Sequence, residues 1–223
     1  MTVKFWCMDI AIDEHTALVF DLDDTLYNEL DYLKSAYWEI CFYCNPDKAK
    51  ELYHLIFSLY RSDQNPFKYI TEKYEISLPE LISNYRNHVP KLNPFPGVLK
   101  VFQEVKQKKG KLGVITDGRV ITQTNKLKSL GLLKYIDYVV ISEDIGSEKP
   151  HRKNYEAMMD KLNAERYYYF GDNFKKDFIA PLKMGWHTVG LIDNGKNIHH
   201  NSYAYLENKP EHLIQSFEEI IIR

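Results

Sequence analysis

The run Leu18-Val19-Phe20-Asp21-Leu22-Asp23-Asp24-Thr25-Leu26-Tyr27 puts three carboxylates within four positions, straight after an apolar stretch. The apolar stretch reads as a buried strand and the acids as its exit. Like charges this close repel, and taking each ion out of water costs several kcal/mol. A chain keeps such a cluster at a strand end where something positive compensates it. A divalent cation is the natural candidate, and magnesium prefers carboxylate oxygens, water and phosphate.

Further apolar runs also end in polar residues of chemical interest. Leu112 to Ile115 ends at Thr116-Asp117-Gly118, Tyr138 to Ile141 at Ser142-Glu143-Asp144, and Tyr167 to Phe170 at Gly171-Asp172-Asn173. A last run, His187 to Ile192, is expected to close the sheet. Helical patterns lie between the later runs. Leu127, Leu130 and Leu133 share one helix face, and Tyr155, Met158, Met159 and Leu162 share another. This alternation predicts an α/β fold, a doubly wound parallel sheet with helices on both faces. In such sheets ligands bind outside the carboxyl ends of the strands, which is where these acids and hydroxyls fall.

The segment between the first two strands breaks the alternation. It has no strand pattern, and Leu52, Leu55, Ile56, Leu59 and Tyr60 recur at helical spacing. Pro66 and Pro79 stand where helices would start, and Pro90, Pro94 and Pro96 close the block. A helix is expected from Leu30 to Tyr43. The reading is an all-helical cap domain, residues 28–92, inserted into a core of residues 1–27 and 93–223. The chain returns to the sheet at Pro94-Phe95-Pro96-Gly97. The tail is polar and then predicts a short amphipathic helix carrying Leu213, Phe217, Ile220 and Ile221, with His199-His200 in a surface loop before it.

A hydrophobic content of 44% in 223 residues is enough for a full core and a smaller module. The net charge of -2, with no basic block, argues against a nucleic-acid partner. No apolar run approaches membrane-spanning length, and Met1 to Asp9 lacks the pattern of a signal peptide. The sparse, odd set of Cys7, Cys41 and Cys44 points to a reducing compartment, so the cytoplasm is the expected location. Cys41 and Cys44 have zinc-ligand spacing, but no second pair matches them, and the reading is helix packing. Nothing in the sequence bears on oligomeric state.

Four motifs stand in order: Asp21-Leu22-Asp23-Asp24-Thr25, Thr116-Asp117-Gly118, Lys149-Pro150, and Gly171-Asp172-Asn173-Phe174-Lys175-Lys176-Asp177. Together they resemble the haloacid dehalogenase superfamily, in its phosphatase form with a helical cap after the first motif. Singly each is ordinary, since an Asp can cap a helix, Thr-Asp-Gly can be a turn, and Lys-Pro can precede one. The resemblance implies an Mg²⁺-dependent aspartyl-phosphate mechanism. Asp21, first after the strand, is placed as nucleophile. Asp23, two residues on, is expected to protonate the leaving oxygen and then deprotonate the attacking water. Family members also bind the metal through the backbone carbonyl at this second position. Asp172 is expected to add another metal oxygen. Thr116 offers a hydroxyl to the phosphoryl group, and the Asp117-Gly118 turn offers N–H groups. Lys149 neutralises charge, Asp177 orients Lys149 or a metal-bound water, and Asn173 supports the last motif.

Two departures matter. Asp24 stands where the first motif usually has glycine. Thr116 is followed by Asp117 where asparagine is common, an extra carboxylate with no evident role. Asp23 argues against dehalogenation, because a halide leaves without a proton. Asn28, Glu29, Tyr32, Arg61, Lys68 and Arg119 are candidates to face the leaving group. The expected substrate is a small phosphorylated metabolite, such as a sugar phosphate or nucleoside monophosphate. A phosphosugar mutase, a phosphoaspartate signalling module and a non-catalytic phosphate-binding protein are the alternatives.

Overall fold

The computed structural model of the chain describes residues 7–198 and 208–223. Six parallel strands form the main sheet: β2 (Thr16–Phe20), β3 (Lys111–Thr116), β4 (Tyr138–Ile141), β5 (Arg166–Gly171), β6 (His187–Leu191) and β7 (His212–Ile214). Their spatial order is β4-β3-β2-β5-β6-β7. The chain builds outward from β2 on one side, then crosses to β5 on the other. The carboxyl end of β2 is therefore the switch point, the place where a crevice opens in such sheets. Phe20 pairs in register with Val114 on one side and Phe170 on the other.

All five β2 residues are buried, as a central parallel strand requires. Leu18 and Phe20 enter one apolar layer with Phe102, Val114 and Phe170. Ala17 and Val19 enter the opposite layer with Tyr155, Met158 and Tyr169. Burying a Val, Leu or Phe side chain contributes about 1.5–3 kcal/mol. That offsets the ~1–2 kcal/mol cost of ordering each residue's backbone. The layers are supplied by α5 (Val98–Gln107), α6 (Val120–Ser129), α7 (Ser142–Ile145), α8 (Arg152–Leu162) and α9 (Ile179–Lys183).

Between β2 and β3 stand α1 (Glu29–Cys44), α2 (Ala49–Arg61), α3 (Pro66–Lys73) and α4 (Leu78–Asn87). They share an apolar centre that includes Ile40, Cys41, Leu52, Ile56, Ile70 and Leu81. Their starts follow the sequence signals. Asn65 accepts the Phe67 and Lys68 N–H groups ahead of α3, and Ser77 accepts that of Glu80 ahead of α4. At α1 the side chain meeting the first N–H is Asp24, whose Oδ1 accepts from Glu29 at 2.8 Å. The neighbouring Thr25 hydroxyl donates to Asp172. Asp24 also adopts φ +55°, the left-handed conformation for which glycine is the usual choice and Asp a tolerated one.

The C-terminal tail corrects the amphipathic-helix expectation. β7 adds to β6 in parallel, so His187 to Ile192 does not close the sheet. β8 (Ile220–Ile222) pairs with β1 (Met8–Ile10), a strand the sequence reading did not anticipate. The reason is local. Glu219 Oε1 accepts the Gln215 and Ser216 N–H groups, both at 3.0 Å, and ties the chain into a one-turn 3-10 helix. Three β-branched isoleucines then follow, which favour an extended strand. Gly97, with φ +86°, lets this turn approach, since a Cβ there would lie 2.5 Å from the Phe217 carbonyl carbon. His199-His200 lies outside the described residues. Among the described residues, no helix is long and apolar enough to cross a membrane.

Candidate active site

The ends of β2, β3 and β5 converge on a pocket of about 170 Å³ lined by Asp21, Asp23, Thr116, Asp172, Asn173 and Lys176, among others. Asp21 leaves β2 with its N–H donated to the Phe170 carbonyl at 2.8 Å, and its Oδ1 accepts the Leu22 N–H at 2.7 Å. The carboxylate is therefore aimed by the backbone of its own and the neighbouring strand.

Lys149 reaches this carboxylate from the loop before α8. Its Nζ lies 2.6 Å from Asp21 Oδ1 and 2.8 Å from Asp177 Oδ1, and the side chain is buried. Burial works against the Lys149 charge, but Asp177 and Asp21 outweigh it and hold the ammonium well above its usual range. Burial pushes Asp21 up to about 7 despite the pull of Lys149. Asp172 is raised well above the usual carboxylate range by burial, with Asp177 and Asp21 adding repulsion. One fully buried lysine thus faces three buried carboxylates, and Lys176, shared with Asp117, adds a weaker pull on Asp21.

That imbalance is the test of whether a cation fits. One oxygen from each of Asp21, Asp172 and Asp177 lies within 4.8 Å of the others. Asp177 Oδ1 is buried with no hydrogen-bond donor, although Lys149 is its ion partner. Asp172 is steadied from behind, by Thr25 Oγ1 at 3.3 Å and Asn197 Nδ2 at 3.0 Å. A hard divalent ion suits this all-oxygen set, and Asp21, Asp172 and Asp177 are the side chains that could hold it.

The loop after β5 is shaped around Asp177. Its Oδ2 accepts the Asn173 N–H at 3.0 Å, and its own N–H donates to the Asn173 carbonyl at 2.9 Å. A Cβ on Gly171 would lie 2.6 Å from Asp177 Oδ2, so only glycine lets the carboxylate fold under the strand end.

Asp117, the carboxylate without an evident role, acts on the neighbouring loops. Its Oδ1 accepts the Lys149 N–H at 3.0 Å and its Oδ2 pairs with Lys176 Nζ at 2.7 Å. Its side chain positions the loop bearing Lys149, and Asp117 also lines the pocket. The Gly118 N–H, expected to face the phosphate, donates to Ser142 Oγ at 2.9 Å. The Thr116 hydroxyl does line the pocket and accepts from Gln123 Nε2 at 2.6 Å.

Asp23 stands on the other side of the pocket, gripped by residues that the sequence reading left out. Lys126 Nζ is 2.7 and 2.9 Å from its two oxygens, Gln123 Nε2 is 2.9 Å from Oδ2, and the Tyr27 hydroxyl donates to Oδ1. Burial alone would raise the Asp23 carboxyl, but Lys126, Tyr27 and Gln123 hold it below the ordinary range. The signal in the sequence was two long polar side chains three apart on the helix after Thr116-Asp117-Gly118. Both turn out to be buried, an expensive arrangement without partners.

Beyond Asp23 a second pocket of about 330 Å³ opens between the helical insert and the core. Glu29, Tyr32, Tyr85, Arg86, Arg119 and Lys126 contribute to its walls. Of the residues expected to face a leaving group, Glu29, Tyr32 and Arg119 are here; Asn28, Arg61 and Lys68 line neither pocket.

A sheet that empties buried carboxylates into such a crevice, beside a buried lysine, is the working part of a hydrolase. The chain belongs to the haloacid dehalogenase-like hydrolase family, whose sequence pattern matches residues 18–191. It is a hydrolase of the phosphatase type. It is 29% identical over 222 residues to a glyceraldehyde 3-phosphate phosphatase of Methanocaldococcus jannaschii, covering 92% of this chain and 94% of the relative. It is also 29% identical over 110 residues to a pyrimidine 5′-nucleotidase of Escherichia coli, covering 48% and 46%. Among solved structures, a magnesium-bound hydrolase of the same superfamily from Bacillus subtilis superposes with a TM-score of 0.64 at 19% identity, covering 92% of this chain and 96% of that one.

Proposed function

We propose that this chain is an Mg²⁺-dependent phosphomonoester hydrolase that acts on a small phosphorylated metabolite through an aspartyl-phosphate on Asp21. The observation carrying it is the 2.6 Å pairing of Asp21 with buried Lys149, within reach of the Asp172 and Asp177 oxygens. Asp21 forms a bond to phosphorus as the bond to the leaving oxygen breaks. Asp23, a carboxylate at rest under the pull of Lys126, takes up a proton as substrate binds, gives it to that oxygen, then takes one from the water that cleaves the acyl phosphate. The second displacement frees Asp21 and releases inorganic phosphate. Lys149 and the Thr116 hydroxyl hold the phosphoryl oxygens meanwhile. A divalent cation held by Asp21, Asp172, Asp177 and the Asp23 carbonyl would offset charge on the nucleophile and the phosphoryl group. Magnesium is favoured by the hard oxygen donors and by the Bacillus relative. Residues 28–92 serve as the cap, and the leaving group occupies the larger pocket beneath it.

The nearly full-length likeness to a glyceraldehyde 3-phosphate phosphatase favours a triose or sugar phosphate over a nucleoside monophosphate. The reaction is assigned to the cytoplasm, where the Cys41 and Cys44 thiols stay reduced. The test is phosphate release in Mg²⁺ from p-nitrophenyl phosphate and from a panel of sugar, triose and nucleoside phosphates. Multiple turnovers with at least one member are expected. No release from any of them would overturn the reading, and transfer back to substrate without release would make the chain a mutase.

A further inference from the structure

Lys126 is a buried lysine that the phosphatase reading does not need. It lies on α6, outside the four motifs, with its side chain 4% exposed. Its ammonium bridges both oxygens of Asp23, at 2.7 and 2.9 Å. A single cation spanning both oxygens fixes the plane of the carboxylate, and charge-assisted contacts of this length are the strong ones. Tyr27 and Gln123 each donate to one of the same two oxygens, Oδ1 and Oδ2 respectively, which blocks rotation about the carboxylate's own axis. Gln123 also binds the Thr116 hydroxyl at 2.6 Å, so α6 carries one rigid link from the acid/base to the phosphate side.

The same ammonium faces the helical insert. It stands over the Tyr32 ring at 4.6 Å from the centroid and 3.9 Å from Glu29 Oε1, both on α1. Tyr32 in turn donates its hydroxyl to the Tyr85 carbonyl on α4 at 2.6 Å. A lysine desolvated against an aromatic face is held by cation–π attraction as well as by its carboxylate. Its position therefore depends on where the insert sits.

We propose that Lys126 is the positioning residue for Asp23, holding its carboxylate at the junction of the two pockets and coupling that hold to the helical insert through Tyr32. This rests on Asp23 being the acid/base of the proposed phosphatase. Lys126 itself forms and breaks no bond. What it governs is whether Asp23 is aimed when the leaving oxygen needs a proton and when water must give one up.

The test separates these steps by leaving group. A p-nitrophenolate leaves without a proton, so kcat/KM for p-nitrophenyl phosphate reports phosphoryl transfer to Asp21 alone, while kcat includes hydrolysis of the acyl phosphate. In Lys126→Met, kcat for the aryl phosphate should fall about 10- to 100-fold with kcat/KM kept within about threefold, and early turnover should give a burst of nitrophenolate. For an alkyl phosphate such as glycerol phosphate, kcat/KM itself should fall about 10- to 100-fold. Lys126→Arg retains a cation on a long stem and should show the same split more weakly, which keeps the test open if the Met variant does not fold. Equal losses of kcat/KM on the two substrates, or parent-like kcat in either folded variant, would overturn the inference. If the parent enzyme turns over neither substrate, or if Asp23→Asn keeps full rates, it is the underlying phosphatase reading that fails.

Discussion

Lys149 Nζ lies 2.8 Å from Asp177 Oδ1, a carboxylate with 0% exposure, while the same ammonium is 2.6 Å from Asp21. A buried triad of this kind is weak evidence for stability, because desolvation opposes the Coulombic gain. Its value is geometric. Asp177 holds the ammonium where it can serve Asp21, and the Asp117 carboxylate holds the backbone that carries it.

Removing the cation should therefore cost both folding and function. In Lys149→Met the remaining carboxylates face one another without compensation, and a broken buried pair costs about 3–5 kcal/mol. Asp21→Asn removes the nucleophile and relieves that repulsion. The expected contrast is an unstable, inactive Lys149→Met and a stable, inactive Asp21→Asn, read by thermal melting and p-nitrophenyl phosphate turnover. Full activity in Asp21→Asn would remove its assignment as nucleophile.

An ion held by Asp21, Asp172 and Asp177, as proposed, would bind only the folded state, so magnesium should act on stability as well as rate. With the ion at 100 times its dissociation constant, the gain is about 2.7 kcal/mol. The parent's melting temperature should rise with Mg²⁺ and fall back with a chelator. Asp172→Asn should lose most of that response while melting normally without the ion. An Asp172→Asn variant as responsive as the parent would place the ion elsewhere.

Gly171 offers a test that leaves every charged group in place. Its alanine variant puts a methyl carbon 2.6 Å from Asp177 Oδ2 and 2.9 Å from Asp177 Cβ. Asp177 must shift, and Lys149 loses one partner. Overpacking of this kind costs about 1–3 kcal/mol, and activity should fall well beyond what the stability loss explains. Wild-type kcat in a folded Gly171→Ala would mean that Asp177 has no part in aiming Lys149.

Much of this was legible in the residues. β2 to β6 fall where the apolar runs predict, because a parallel strand buried on both faces must be continuously apolar. Three of the four motifs could be read because each sits at the end of such a run; Lys149-Pro150 stands in the loop before α8 and was read from its order among the others. What was not legible was pairing. Asp117 looks like an unwelcome charge near phosphate until the fold brings Lys176 to it, 59 residues on. Lys126 and Asp23 are 103 residues apart, and nothing local marks them as partners. The tail misled for a different reason: Phe217 and Ile220 have helical spacing, but a local turn and a distant strand, β1, claim them instead.

The last prediction concerns acid stability away from the site. Asp13 accepts from the Thr16 hydroxyl and from Arg166, both at 2.7 Å, and from the His15 N–H. The Thr16 bond foremost, with Arg166, holds its carboxyl down at about 2. A depressed folded-state value means that the carboxylate's contribution is fully present above the unfolded value near 3.8 and is lost as pH falls toward about 2. Asp13→Asn lacks this titration. The stability difference between parent and variant, measured by urea unfolding, should be flat above pH ~4.5 and shrink steadily below it. The pair is exposed and screened, so raising the salt concentration should weaken the Arg166 part and leave the Thr16 part. A difference that does not change between pH ~5 and pH ~2 would mean that Asp13 makes these bonds no better folded than unfolded.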